Sequence, residues 1–122
     1  MGGGYNLDEL GIAVNIGADS GYICFGKTYG NIILQYQKYR FKNINQDIQT
    51  KQYKLTLPIS FSNINLFSQC SIMNRTNLDG IVNPFINTSS SSLQEIILRL
   101  DMYHTNNNYS GNLDVFIVTY GY

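Results

Sequence analysis

Few residues in this chain are equipped for chemistry. There is one histidine, His104, two cysteines, Cys24 and Cys70, and eight acidic side chains. A glycosidase needs two carboxyl groups flanking the scissile bond, but Asp47, Asp79, Glu95, Asp101 and Asp114 are scattered with no shared motif. Cys24, Cys70 and His104 lack the spacing of a metal ligand set. No nucleophile elbow, phosphate-binding loop or dinucleotide fingerprint occurs. The expectation is a protein without catalysis, cofactor or resident metal.

Binding chemistry is better represented. Two polar stretches combine amides with charge or aromatic rings. One holds Asn74, Arg75, Asn77 and Asp79; the other holds Tyr103, His104, Asn106, Asn107, Asn108 and Tyr109. Amides satisfy hydroxyls, and a tyrosine ring can stack on the C–H face of a sugar. Tyr103 and Tyr109 bracket the amides of the second stretch, which makes it the stronger candidate. Ordinary solvated turns have the same composition. Loops are where a rigid scaffold carries such sites.

Composition narrows the partners. Eight basic and eight acidic residues cancel, and charged residues are only 13% of the chain. A neutral chain offers a polyanion no electrostatic footprint, so nucleic acid is not expected as a partner. No apolar run is long enough to span a bilayer and no basic amphipathic stretch marks a membrane surface. The polarity resides in Asn, Ser, Thr, Gln and Tyr, which suits neutral sugars. AT-rich coding yields the same excess of Asn and Ile, in strands and loops alike. Asn74, Asn87 and Asn108 begin N-x-S/T triplets, which carry no weight in a chain this rich in Asn, Ser and Thr. Two cysteines make no disulfide framework, and Cys24 and Cys70 read as reduced thiols inside strands.

The positioning elements are short and β-like. A chain of 122 residues supports one domain. Residues 1–11 read as a cloning remnant or a linker to a shaft, with at most one helical turn after Tyr5, and 12–122 as the folded domain. Ile12, Val14 and Ile16 alternate before a turn at Ala18–Gly21, and Tyr22–Phe25 follows. Lys27–Gly30 makes a tight connection into a long run, Asn31–Phe41. Lys42–Gln52 reads as a loop. Tyr53–Phe61 alternates with Leu55, Leu57, Ile59 and Phe61 on one face, although Pro58 restricts it to an edge or a bulge. Leu66–Met73 and Ile81–Ile86 read as strands around a loop at Asn74–Gly80. Leu93–Tyr103 fits helical and strand spacing; the strand is preferred because Glu95, Arg99 and Asp101 then share an outward face, with Ile97 as the misfit. Ser110–Asn112 reads as a turn before the final strand, Asp114–Tyr122. That strand is apolar on both sides: Phe116, Val118, Tyr120 and Tyr122 on one, Leu113, Val115, Ile117 and Thr119 on the other. Such a strand is covered on both faces or lies between subunits. The whole predicts an antiparallel sandwich or barrel that self-associates.

Several of these stretches resemble the C-terminal domain of bacteriophage and prophage tail fibre proteins. Gly21-Tyr22-Ile23-Cys24-Phe25 followed by Gly30-Asn31-Ile32-Ile33-Leu34-Gln35-Tyr36 is similar to its opening, with Tyr36 where the family usually has Trp. Leu55–Asn63 is similar to its central segment, and Phe116–Tyr122, closing on Gly-Tyr, to its terminal strand. The resemblance spans residues 12–122. It implies an all-β, antiparallel β-sandwich knob, assembled as a homotrimer at the distal end of a fibre on the virion. The implied role is non-enzymatic adhesion to a bacterial surface glycan or surface protein. A structural trimerisation cap and a small glycan hydrolase are the alternative readings.

Overall fold

The computed structural model describes residues 11–45, 49–78, 81–87, 91–103 and 110–122. Eight strands run in chain order: β1 (Ile12–Ile16), β2 (Ser20–Phe25), β3 (Ile33–Asn45), β4 (Gln49–Thr56), β5 (Asn65–Thr76), β6 (Ile81–Ile86), β7 (Glu95–Tyr103) and β8 (Ser110–Gly121). A 3-10 turn at Lys27–Tyr29 joins β2 to β3. The strands form two antiparallel sheets, β1-β2-β3-β8-β5 and β4-β7-β6. No helix among the described residues is long and apolar enough to cross a membrane.

Period-two alternation places the core. Leu113, Val115 and Ile117 of β8 and Ile96, Leu98, Leu100 and Met102 of β7 are buried against one another with Phe41, Leu55, Leu57, Phe61 and Val82. β8 is flanked by β3 and β5 and β7 by β4 and β6, so both ladders of each are filled. Ile97, on the opposite side of β7, is nevertheless buried. The chain after β6 extends alongside it: Asn87 N donates to Ile97 O at 2.8 Å, and Ile97 N donates to Ser91 Oγ at 3.1 Å.

Four sequence expectations need correction. Lys42–Asn45 and Gln49–Gln52 belong to β3 and β4, not to a loop. A bulge after Phe41 lets β3 continue to Asn45. β4 ends at Thr56, short of Phe61, because Pro58 cannot donate to a ladder; Leu57 and Phe61 still reach the core from the irregular segment. Asn74, Arg75 and Thr76 continue β5. Ser110–Asn112 is strand, not turn. Gly111 is there for close approach: a Cβ at that position would lie 1.7 Å from Thr76 O. Pro84 is tolerated in β6 because β6 is an edge strand. The helical turn expected after Tyr5 lies outside the described residues.

Cys24 and Cys70 are free thiols. They sit on β2 and β5, with β3 and β8 between them, so the sheet itself separates them. Burial pushes the Cys70 thiol up to about 11 and raises that of Cys24. Both are poor nucleophiles at neutral pH.

Candidate functional site

The two polar stretches fare differently. Asn74 and Arg75 stand on β5, opposite Asp114 and Leu113 of β8. Asn77 follows the strand end in a left-handed conformation, φ 57°, which asparagine tolerates better than most residues. Tyr103 is the exposed last residue of β7, opposite Ile81. Asp79, His104, Asn106, Asn107, Asn108 and Tyr109 lie outside the described residues. The register places the flanking strand ends together: Thr76 pairs with Asn112, Asn45 with Ser110, Ile81 with Tyr103, and Gln49 with Met102. Both stretches therefore leave the sandwich at the same end.

Near that end the five-stranded sheet carries a groove of about 570 Å³, lined by Asp19, Lys38, Tyr39, Arg40, Met73 and Asp114. Each residue has a structural reason to be there. Lys38 and Arg40 alternate outward on β3, and Asp114 faces Arg40 across the β3–β8 ladder. Asp19 precedes β2 and is anchored by its carbonyl, which accepts from Lys38 N at 2.7 Å. Met73 falls at a register shift between Ile72 and Asn74, where β5 bulges. Asn74 completes the row Arg40–Asp114–Asn74 across three strands.

The Arg40–Asp114 pair is bidentate. Nε donates to Oδ1 at 2.6 Å and Nη2 to Oδ2 at 2.9 Å. These bonds first, and the guanidinium charge with them, hold the Asp114 carboxyl below the usual aspartate range. Because the folded value is depressed, the pair's stabilisation is present above the ordinary aspartate pKa. It is lost as pH falls through the folded value. The pair is exposed, so its contribution to stability is small; what it fixes is geometry, a planar donor and acceptor array on a rigid ladder. Arg40→Ala is expected to return Asp114 to the ordinary range, read by NMR titration of its side-chain carboxyl. An unmoved midpoint would mean that the pair does not form in solution.

Sequence reasoning pointed to loops and so missed Lys38, Arg40, Asp19 and Asp114 as a group. The available signal was Lys38-Tyr39-Arg40, the densest basic cluster in the chain, inside a strand-like run rich in β-branched and aromatic residues. Also missed was Gln35, which is fully buried. Its Nε2 donates to Ile59 O at 2.9 Å and its Oε1 accepts from Ile59 N at 3.1 Å. The amide thus imitates a strand and holds the irregular segment after β4 against the large sheet.

Together these features define an all-β scaffold: two packed antiparallel sheets with polar groups gathered at one end of one face. No family model and no curated protein matches the sequence. Solved structures do match the fold. An N-truncated R1-type pyocin tail fibre aligns over 98% of this chain and 99% of that chain, with a TM-score of 0.71 at 14% identity. An N-truncated R2-type pyocin tail fibre aligns over 90% of this chain and 37% of its own, with a TM-score of 0.62 at 14% identity. A C-terminal portion of the P. aeruginosa R1 pyocin fibre aligns over 95% of this chain and 30% of its own, with a TM-score of 0.64 at 14% identity. The chain thus has the fold of phage-tail-like fibre C-terminal segments, and spans about a third of the two longer ones. The resemblance read from the sequence and the fold seen in three dimensions agree.

Proposed function

We propose that this chain is the receptor-binding tip of a phage or phage-tail-like fibre, at the fibre's distal end, assembled as a homotrimer and acting by adhesion without catalysis. The observation that carries the reading is the groove beside the Arg40–Asp114–Asn74 row. It offers fixed donors and acceptors of both signs on a neutral chain. Such a site suits a neutral or zwitterionic surface glycan, or a polar patch of a surface protein. It does not suit a polyanion. Hydrolysis is less well supported: a general acid needs a raised pKa, and Asp114 is held in the opposite direction. Weak single sites gain from repetition, which a trimer supplies through avidity.

Competition for host cells tests the reading. The purified protein should block adsorption of the parent particle. Lys38→Ala with Asn74→Ala should raise the half-blocking concentration about tenfold or more, the effect of losing one charge-assisted hydrogen bond. Tyr109→Ala with Asn107→Ala asks the same of the second polar stretch, with the melting temperature as control. A folded protein that never competes would favour a trimerisation cap that leaves adhesion to another part of the fibre. Sugar release from host envelopes would favour the hydrolase.

A further inference from the structure

A second cavity, of about 200 Å³, opens where β4 lies over β3, and Tyr39, Phe41, Lys42, Asn43, Lys51 and Tyr53 line it. The register explains the wall. Tyr39 pairs with Val115 and Phe41 with Leu113, both fully buried, so these two rings point inward from β3. Lys51 pairs with Leu100 and Tyr53 with Leu98, again fully buried, so Lys51 and Tyr53 point inward from β4. The rings of Tyr39, Phe41 and Tyr53 pack in sequence with centroids 4.6 Å apart at each step. Lys51 is thus a half-buried ammonium on a face that is otherwise apolar or aromatic. Lys42 and Asn43 fall within the β3 bulge and stand at the rim. Arg40 also borders the cavity, but its guanidinium is engaged by Asp114. Among the described residues no acidic side chain lines the cavity, and no carboxylate pairs with Lys42 or Lys51.

We propose that this cavity binds a phosphate group, either the free ion or a monoester on a sugar. Two ammonium groups without counter-charge match a phosphoryl group, which carries about −1.5 to −2 near neutral pH; a carboxylate would balance only one. Lysine serves phosphate as a compact point charge. Tyr53 adds a neutral donor: burial first, then neighbouring Tyr39, pushes its phenol up, so the hydroxyl keeps its proton at neutral pH. Asn43 adds an amide. A lysine pointing inward from an edge strand can also serve only to prevent pairing with another strand. That role needs no anion, which separates the two by experiment. The cavity shares Tyr39 and Arg40 with the groove but lies between the sheets, whereas the groove lies on the outer face of the larger one.

The test is an NMR titration with inorganic phosphate at fixed ionic strength, so that general screening stays constant. The backbone amides of Lys42, Asn43 and Lys51 should shift along one saturable curve, with a midpoint on the order of 1 mM, the affinity of a few charge-assisted contacts. Lys51→Met and Lys42→Met keep the apolar stem and should each raise the midpoint about tenfold. Lys42, exposed at the bulge, decides the matter if Lys51→Met disturbs the edge strand. Lys54→Met, on the outer face of β4, should leave the midpoint unchanged. Glucose 1-phosphate binding more tightly than phosphate assigns the aromatic wall to a sugar; equal midpoints assign the site to the free ion. Glucuronate should bind more weakly than either, and a midpoint equal to that of phosphate overturns the choice of anion. Shifts that rise linearly with phosphate, or that survive both methionine variants, overturn the site and leave Lys51 as a guard of the edge. Phosphate binding is read on the protein alone and the receptor reading on adsorption to cells, so either can fail without the other.

Discussion

Ile117→Asp is expected to leave the chain without a cooperatively folded state, while Val118→Asp, one residue along, melts close to wild type. Ile117 is fully buried in β8, an interior strand of the large sheet, paired to Gln37 on one side and Cys70 on the other. Removing its side chain alone costs about 2–5 kcal/mol. Placing an ionised carboxylate in that space adds several kcal/mol more. Set against a total stability of about 5–15 kcal/mol for a domain, the sum removes most or all of the margin. Val118 faces the other way and is half-exposed, so an aspartate there costs the isolated chain about 1 kcal/mol. Urea titration followed by circular dichroism separates the two. Similar midpoints for both variants would mean that β8 does not present alternate residues to a core.

This alternation is also why much of the fold was legible. The final strand, with no polar face in the sequence, is the strand flanked on both edges and buried on one side. Leu93–Tyr103 was ambiguous by spacing alone. Its strand character follows once Ile96, Leu98, Leu100 and Met102 face one core. Ile97, the misfit, is accommodated by the chain after β6 binding along it, a non-local event that no local pattern reports. The errors share a cause. Lys42–Asn45, Gln49–Gln52, Asn74–Thr76 and Ser110–Asn112 are polar strand residues at the ends of long ladders, where hydrogen bonding to a neighbour outweighs low β propensity. Gly111 looked like a turn residue, yet the structure uses its missing side chain to let Thr76 approach. The groove was illegible for a related reason. Asp19, Lys38, Met73 and Asp114 come from four separate parts of the chain, and only the register of β3, β8 and β5 brings them together.

Gln35→Leu is expected to cost about 2–5 kcal/mol, more than a surface substitution and comparable with a core truncation. Gln35 and Thr119 face each other on the inner side of the β3–β8 ladder, both buried. The Gln35 amide satisfies both backbone groups of Ile59. Leucine matches the volume but leaves that N–H and that carbonyl without partners, at about 1–3 kcal/mol each. The loss should localise: the segment from Leu57 to Phe61, which has no strand ladder of its own, is held to the large sheet there, and its amides should exchange faster in the variant. Gln35→Glu sharpens the test by sign. A protonated glutamic acid keeps a donor for Ile59 O, whereas a carboxylate faces that carbonyl with no proton, so the folded pKa rises. Its stability is then fully present below the unfolded value, about 4.3, and lost as pH rises through the higher folded one. The variant should be nearer wild type at pH 4 than at pH 7. Equal destabilisation at both pH values would show that the amide's contribution is packing and not the paired hydrogen bonds to Ile59.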